Sequence, residues 1–64
     1  MDNSVSAARA DMGWSQQKLA DVLGVSRQTV ISIEKGRYDP SLPVAFKIAA
    51  AFGRRIEDLF YPED

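Results

Sequence analysis

The sequence predicts an all-α domain of five short helices, and three observations carry that prediction. Apolar side chains recur at three- and four-residue spacing, and no stretch sustains the period-two alternation of a strand. Gly13, Gly24, Gly36 and Gly53 each follow a helical stretch, where a left-handed residue satisfies the last carbonyls. Ser15, Ser26 and Ser41 each precede one, where a hydroxyl caps free amides.

In chain order, the first helix is expected over Asn3–Met12, with Val5, Ala8 and Met12 on one face. The second is expected over Gln16–Leu23, with Leu19, Ala20 and Leu23 inward, and the third over Arg27–Lys35, with Val30 and Ile33 inward. The fourth is expected over Leu42–Phe52, where Ala45, Ile48, Ala49 and Phe52 fall at i, i+3, i+4 and i+7. Pro43 sits in its first turn, where a missing amide proton costs little. The fifth is short, Ile56–Phe60, with Ile56, Leu59 and Phe60 on one face. Trp14 is expected to be half-buried, and Phe46 and Phe52 are expected in the core. No repeat, linker or low-complexity segment interrupts residues 1–64, so one domain is expected.

Sixty-four residues bury a small core, about 60% of the unfolded surface. With no Cys and no His, disulfides and thiolate or imidazole metal sites are excluded, leaving tight helix packing and dimerisation as sources of stability. No apolar run approaches the ~20 residues that span a bilayer, and the N-terminus lacks the pattern of a signal peptide. The expectation is a cytoplasmic protein with no membrane contact, no cofactor and no small-molecule ligand. Catalysis is not expected either: acid-base or nucleophilic chemistry needs a tuned group in a cleft, and neither His, Cys nor a glycine-rich phosphate loop is present.

The net charge of −1 is unusual for a nucleic-acid binder, but its distribution is uneven. From Trp14 to Arg55 seven basic residues (Lys18, Arg27, Lys35, Arg37, Lys47, Arg54 and Arg55) meet three acids (Asp21, Glu34 and Asp39), a net +4. The other acids lie toward the two ends, so one face can attract a polyanion.

The informative segment is QQKLADVLGVSRQTVISIEK, residues 16–35. Ala20 is small where two helices approach, Gly24 permits a sharp reversal, and Leu19, Leu23, Val25, Val30 and Ile33 wedge the pair into a corner. Any αα-corner would share that pattern. The outer face of the third helix narrows the choice, because Arg27, Gln28, Thr29 and Ser32 are poor core residues. Arg forks onto guanine and Gln onto adenine in the major groove, and short hydroxyls allow close approach.

The text GWSQQKLADVLGVSRQTVISIEKGRYDPSLPVAFKIAAAFG, followed by IEDLF, resembles the small helix-turn-helix regulators of the Cro and cI repressor type, the XRE family. The resemblance implies the five-helix lambda-repressor-like fold with helices two and three as the helix-turn-helix. It also implies sequence-specific binding of double-stranded DNA as a homodimer, and a role as a transcription regulator, a repressor first. Residue by residue, it implies that Gln16 holds a phosphate and braces the recognition helix, with Gln17 beside it at the DNA. Arg27, Gln28 and Ser32 match base-reading positions, and Thr29 a base or backbone contact. Lys35, Arg37 and Tyr38 lie where the family meets phosphates, although Tyr38, with Asp39 and Pro40, also suits a purely loop-shaping role. Arg9 and Glu34 match an ion pair that ties the first helix to the third, a structural role set against a phosphate contact by Arg9. The first helix departs from the family: Asp2, Asn3, Ser4 and Ser6 stand where relatives carry basic residues, and Ala8 fills a slot that is usually large and aliphatic. Ile56, Leu59, Phe60 and Tyr61 either close the monomer core or form the dimer interface. A protein-interaction or antitoxin-type module on the same fold is the alternative function.

Overall fold

The computed structural model describes residues 1–62, in the order β1 (Asp2–Asn3), α1 (Val5–Asp11), α2 (Gln16–Leu23), α3 (Arg27–Glu34), α4 (Leu42–Phe52), α5 (Ile56–Leu59) and β2 (Phe60–Tyr61). The five helices define the lambda-repressor-like helix-turn-helix fold. The capping hydroxyls act as their positions require. Ser15 accepts from the Lys18 amide at 3.0 Å, Ser26 from Thr29 at 3.1 Å and Ser41 from Val44 at 3.4 Å. Each satisfies an amide that the first helical turn leaves without a carbonyl partner. Gly24, at φ 73°, closes α2 by giving its amide to the Ala20 carbonyl at 2.9 Å.

One layer of side chains from all five helices makes the core. Val5, Leu19, Val30, Ile33, Ile48 and Leu59 are the largest fully buried groups. Burying each such aliphatic group contributes about 1.5–3 kcal/mol. Ala8 and Ala20 are fully buried too, and a Cβ methyl there lets backbones approach closely. Trp14 packs against this core with its ring 5.8 Å from that of Phe52, and the Lys18 ammonium stands 6.0 Å from the indole.

Several expectations need correction. The chain forms a two-residue antiparallel pairing, Asp2 with Tyr61 and Asn3 with Phe60, which no alternation announces. Asn3 therefore lies in β1, and α1 begins only at Val5. The Asn3 side chain accepts from the Val5 amide at 3.1 Å and donates to the Ile33 carbonyl at 2.8 Å, linking the chain start to the end of α3. Met12 caps α1 and is 47% exposed, because the helix ends before another inward turn. Phe46 is 58% exposed rather than in the core. Its neighbours Ala45, Ile48 and Ala49 define the inward stripe, and Phe46 stands one residue, about 100° of helix rotation, beyond Ala45. The third helix ends at Glu34 with Lys35 as its cap, and the fifth ends at Leu59 as Phe60 joins β2.

Candidate nucleic-acid interface

The site begins with the turn between α2 and α3. Ala20, with no exposed surface, brings the two helices together, while Leu19, Leu23, Val30 and Ile33 fill the corner between them. Gly24 and Val25 both donate to the Ala20 carbonyl, at 2.9 and 3.1 Å, so the reversal is completed within three residues before Arg27. Nothing lies within 4 Å of where a Gly24 Cβ would stand, so glycine is required for its backbone angle alone.

A polar lock fixes the far end of α3. Arg9 Nε donates to Glu34 Oε2 at 2.7 Å, and Arg9 Nη1 donates to the Trp14 carbonyl at 2.7 Å. Gln16 Nε2 donates to the other Glu34 oxygen at 3.1 Å. The Glu34 side chain is only 7% exposed and that of Arg9 18%, so water competes little for these bonds. Charge-assisted hydrogen bonds of this kind are roughly twice as strong as neutral ones. Three elements, α1, α2 and α3, thus converge on one carboxylate.

The opposite face of α3 carries no such constraints. Arg27 and Gln28 are exposed, and neither makes a side-chain hydrogen bond or ion pair among the described residues. Thr29 and Ser32 are half-buried beside them. The Thr29 hydroxyl lies 2.9 Å from that of Ser26, and the cap thereby holds it in place. Gln28, Thr29 and Ser32, with Ser26 and Tyr38, line a shallow cleft along the helix. Lys35 and Arg37 are exposed beyond its C-terminal end and form no ion pair among the described residues. Neither α2 nor α3 has an acid in its first turn, so nothing there opposes an approaching phosphate.

The remaining candidates divide. Gln16 is half-buried and braced on Glu34, and its amide nitrogen has a second hydrogen to offer. Gln17 is exposed and donates to Asp21 at 2.9 Å, one turn along α2. Of the four residues with two open readings, Leu59 and Phe60 are 0% and 5% exposed and close the monomer core, which leaves neither free for a dimer contact. The β1–β2 pairing is the reason, since it folds the chain start over this end, with the Ser4 amide on the Leu59 carbonyl at 2.8 Å. Ile56 is half-buried and Tyr61 exposed. Sequence reasoning missed two contributors. Sequence position identifies Ser26 only as a cap, and its place in the cleft needs the position of Tyr38, which comes from the following loop. Asn3, a second anchor for α3, left no signal beyond its own amide chemistry.

The helix-turn-helix family profile matches residues 5–59, and the chain belongs to that family, the XRE-type DNA-binding transcription regulators. An uncharacterized HTH-type transcriptional regulator of Methanocaldococcus jannaschii is 58% identical over 64 residues, covering 100% of this chain and 97% of the relative. The chain is 52% identical to the regulator YgzD of Bacillus subtilis, with the same coverage of both. Among solved structures, the restriction-modification controller protein C.AhdI from Aeromonas hydrophila superposes with a TM-score of 0.79 at 32% identity, covering 88% of this chain and 85% of its own. A hypothetical transcription factor from Neisseria, NHTF, gives the same TM-score at 33% identity over 86% of this chain and 62% of that one.

Proposed function

We propose that this chain is a sequence-specific repressor that binds double-stranded DNA as a two-fold dimer, with α3 in the major groove. The observation that carries the reading is the division of α3 into two faces. One is locked to α1 and α2 through Glu34, and the other presents Arg27 and Gln28 unpaired to solvent. A rigid helix with unspent bidentate groups is what base-edge recognition requires.

Arg27 and Gln28 supply most of the direct readout in this mechanism. Ser32 and Thr29 keep the helix surface low enough for base edges to approach. Gln16 and Gln17 meet the backbone at the start of α2, Gln16 with its second amide hydrogen. Lys35 and Arg37 neutralise phosphates beyond the end of α3, and Tyr38 closes the cleft on that side. Repression follows from occupancy, because a bound dimer covers promoter DNA that polymerase needs. Residues 1–64 act as one DNA-binding unit, in the cytoplasm with the chromosome; no helix among the described residues is long and apolar enough to cross a membrane.

Selection from a pool of random duplexes tests the proposal. The expected product is a two-fold-related pair of half-sites about 34–36 Å apart, one turn of B-DNA. If no sequence is enriched even at low salt, where phosphate attraction is strongest, the reading fails.

A further inference from the structure

We infer that two copies of this chain pair through α4, with Phe46 of each seated in a groove of the other. The inference rests on the dimeric part of the reading above and not on its DNA contacts. It centres the interface on α4 and keeps only Ile56 of the C-terminal residues that the sequence suggests, since Leu59 and Phe60 are already buried within one chain and Tyr61 lies outside the groove.

Two large apolar side chains stand one turn apart on the outside of α4, Leu42 at 64% and Phe46 at 58% exposure. Neither contributes to the core. Immediately along the helix the side chains become small. Phe46, Ala49, Ala50 and Gly53, together with Ile56, line an open and mostly apolar groove. A projecting ring therefore sits beside a hollow on the same face. A surface with a knob and a hole a turn apart is complementary to itself. A two-fold axis that sets two α4 helices antiparallel seats each Phe46 over the other copy's Ala50 and Gly53. Isologous contacts of this kind close at two subunits.

The charges around the groove select the same occupant. Arg54 and Arg55 lie on its rim beside Glu57. Within one chain Arg54 pairs with Asp11 at 3.1 Å and Arg55 with Asp58 at 3.3 Å. Glu57 is exposed and has no ion-pair partner among the described residues. The operation that seats Phe46 also brings Glu57 toward the arginines of the second copy. A rim of both signs suits neither a polyanion nor a strongly basic protein, but it matches its own image.

Sedimentation velocity on the full chain, from micromolar to hundreds of micromolar, tests this directly. The wild type is expected to sediment as a dimer. Phe46→Asp and Ala50→Glu are each expected to weaken pairing by about 30-fold or more, as loss of a buried anchor does. Both sites are exposed, so circular dichroism should show unchanged helix content, and Ala50→Glu stands in if Phe46→Asp misfolds. Tyr61→Asp should stay dimeric. The chain has no Cys, so mixed Phe46→Cys and Ala50→Cys chains should form a heterodisulfide in preference to either self-disulfide. A monomeric wild type overturns the inference, as do undiminished pairing by both variants or a dimer broken only by Tyr61→Asp. A wild type that pairs through Phe46 but enriches no duplex sinks the DNA reading alone. One that enriches a sequence as a monomer sinks the pairing alone.

Discussion

Replacing Glu34 by Leu removes the acceptor on which Arg9 and Gln16 converge. It deletes bonds of 2.7 and 3.1 Å and leaves the Arg9 guanidinium, only 18% exposed, without its countercharge. Breaking a buried pair from one side costs about 3–5 kcal/mol. Arg9 retains its bond to the Trp14 carbonyl at 2.7 Å and some contact with water, so the lower end, about 3 kcal/mol, is expected. A chain of this size has about 3–10 kcal/mol of stability in total. For so small a domain the loss corresponds to a fall in Tm of about 20 °C. Thermal unfolding by circular dichroism measures it, and fluorescence of Trp14, beside the lock, checks that the transition is two-state. The double variant Arg9→Leu, Glu34→Leu removes both charges together and should melt closer to wild type than either single variant, since an apolar replacement of a whole buried pair is often nearly neutral. A Glu34→Leu variant within about 5 °C of wild type would refute the lock, as would single-variant losses that simply add.

Three further outcomes are expected. Arg27→Ala or Gln28→Ala should cost about 1–3 kcal/mol at one base position and relax preference there, read by repeating the duplex selection; an equal loss on every sequence would contradict base readout. Lys35→Ala or Arg37→Ala should weaken binding to all duplexes alike and flatten the dependence of log affinity on log salt by about one unit in a fluorescence titration; an unchanged slope would mean no phosphate contact. Gly24→Ala meets open space at φ 73° and should cost about 1–2 kcal/mol in urea unfolding from backbone conformation alone. Gly36→Ala has the same φ, but its Cβ would stand 3.1 Å from the Met1 carbonyl oxygen, so the larger loss should be at Gly36.

The helices were legible because their causes are local. A Ser hydroxyl caps the amide three residues on, and a Gly ends a helix by its own backbone freedom. Spacing of apolar residues then selects the inward face, as at Leu19, Ala20 and Leu23. The outward face of α3 was equally legible, since Arg27 and Gln28 have no place in a core. Phe46 is misplaced by sequence because hydrophobicity alone does not tell a core residue from one that the turn of its helix leaves at the surface, here 58% exposed. Leu59 and Phe60 were ambiguous for a related reason: only the approach of the chain start decides what covers them.

By itself, the sequence determined the five helices, the tight turn at Gly24 and the chemistry of the exposed helix, all of which depend on residues within a few positions of one another. The tertiary structure alone decided that Asn3 anchors the end of α3, that Tyr38 joins the cleft, and that α4 rather than α5 turns large apolar groups to solvent. The first and last of those outcomes depend on contacts between segments 30 to 59 residues apart, such as Asn3 with Ile33 and Asp2 with Tyr61, and the cleft on how the loop after α3 folds back along it. Such contacts are set by how whole helices pack in three dimensions, and no periodicity along the chain encodes them.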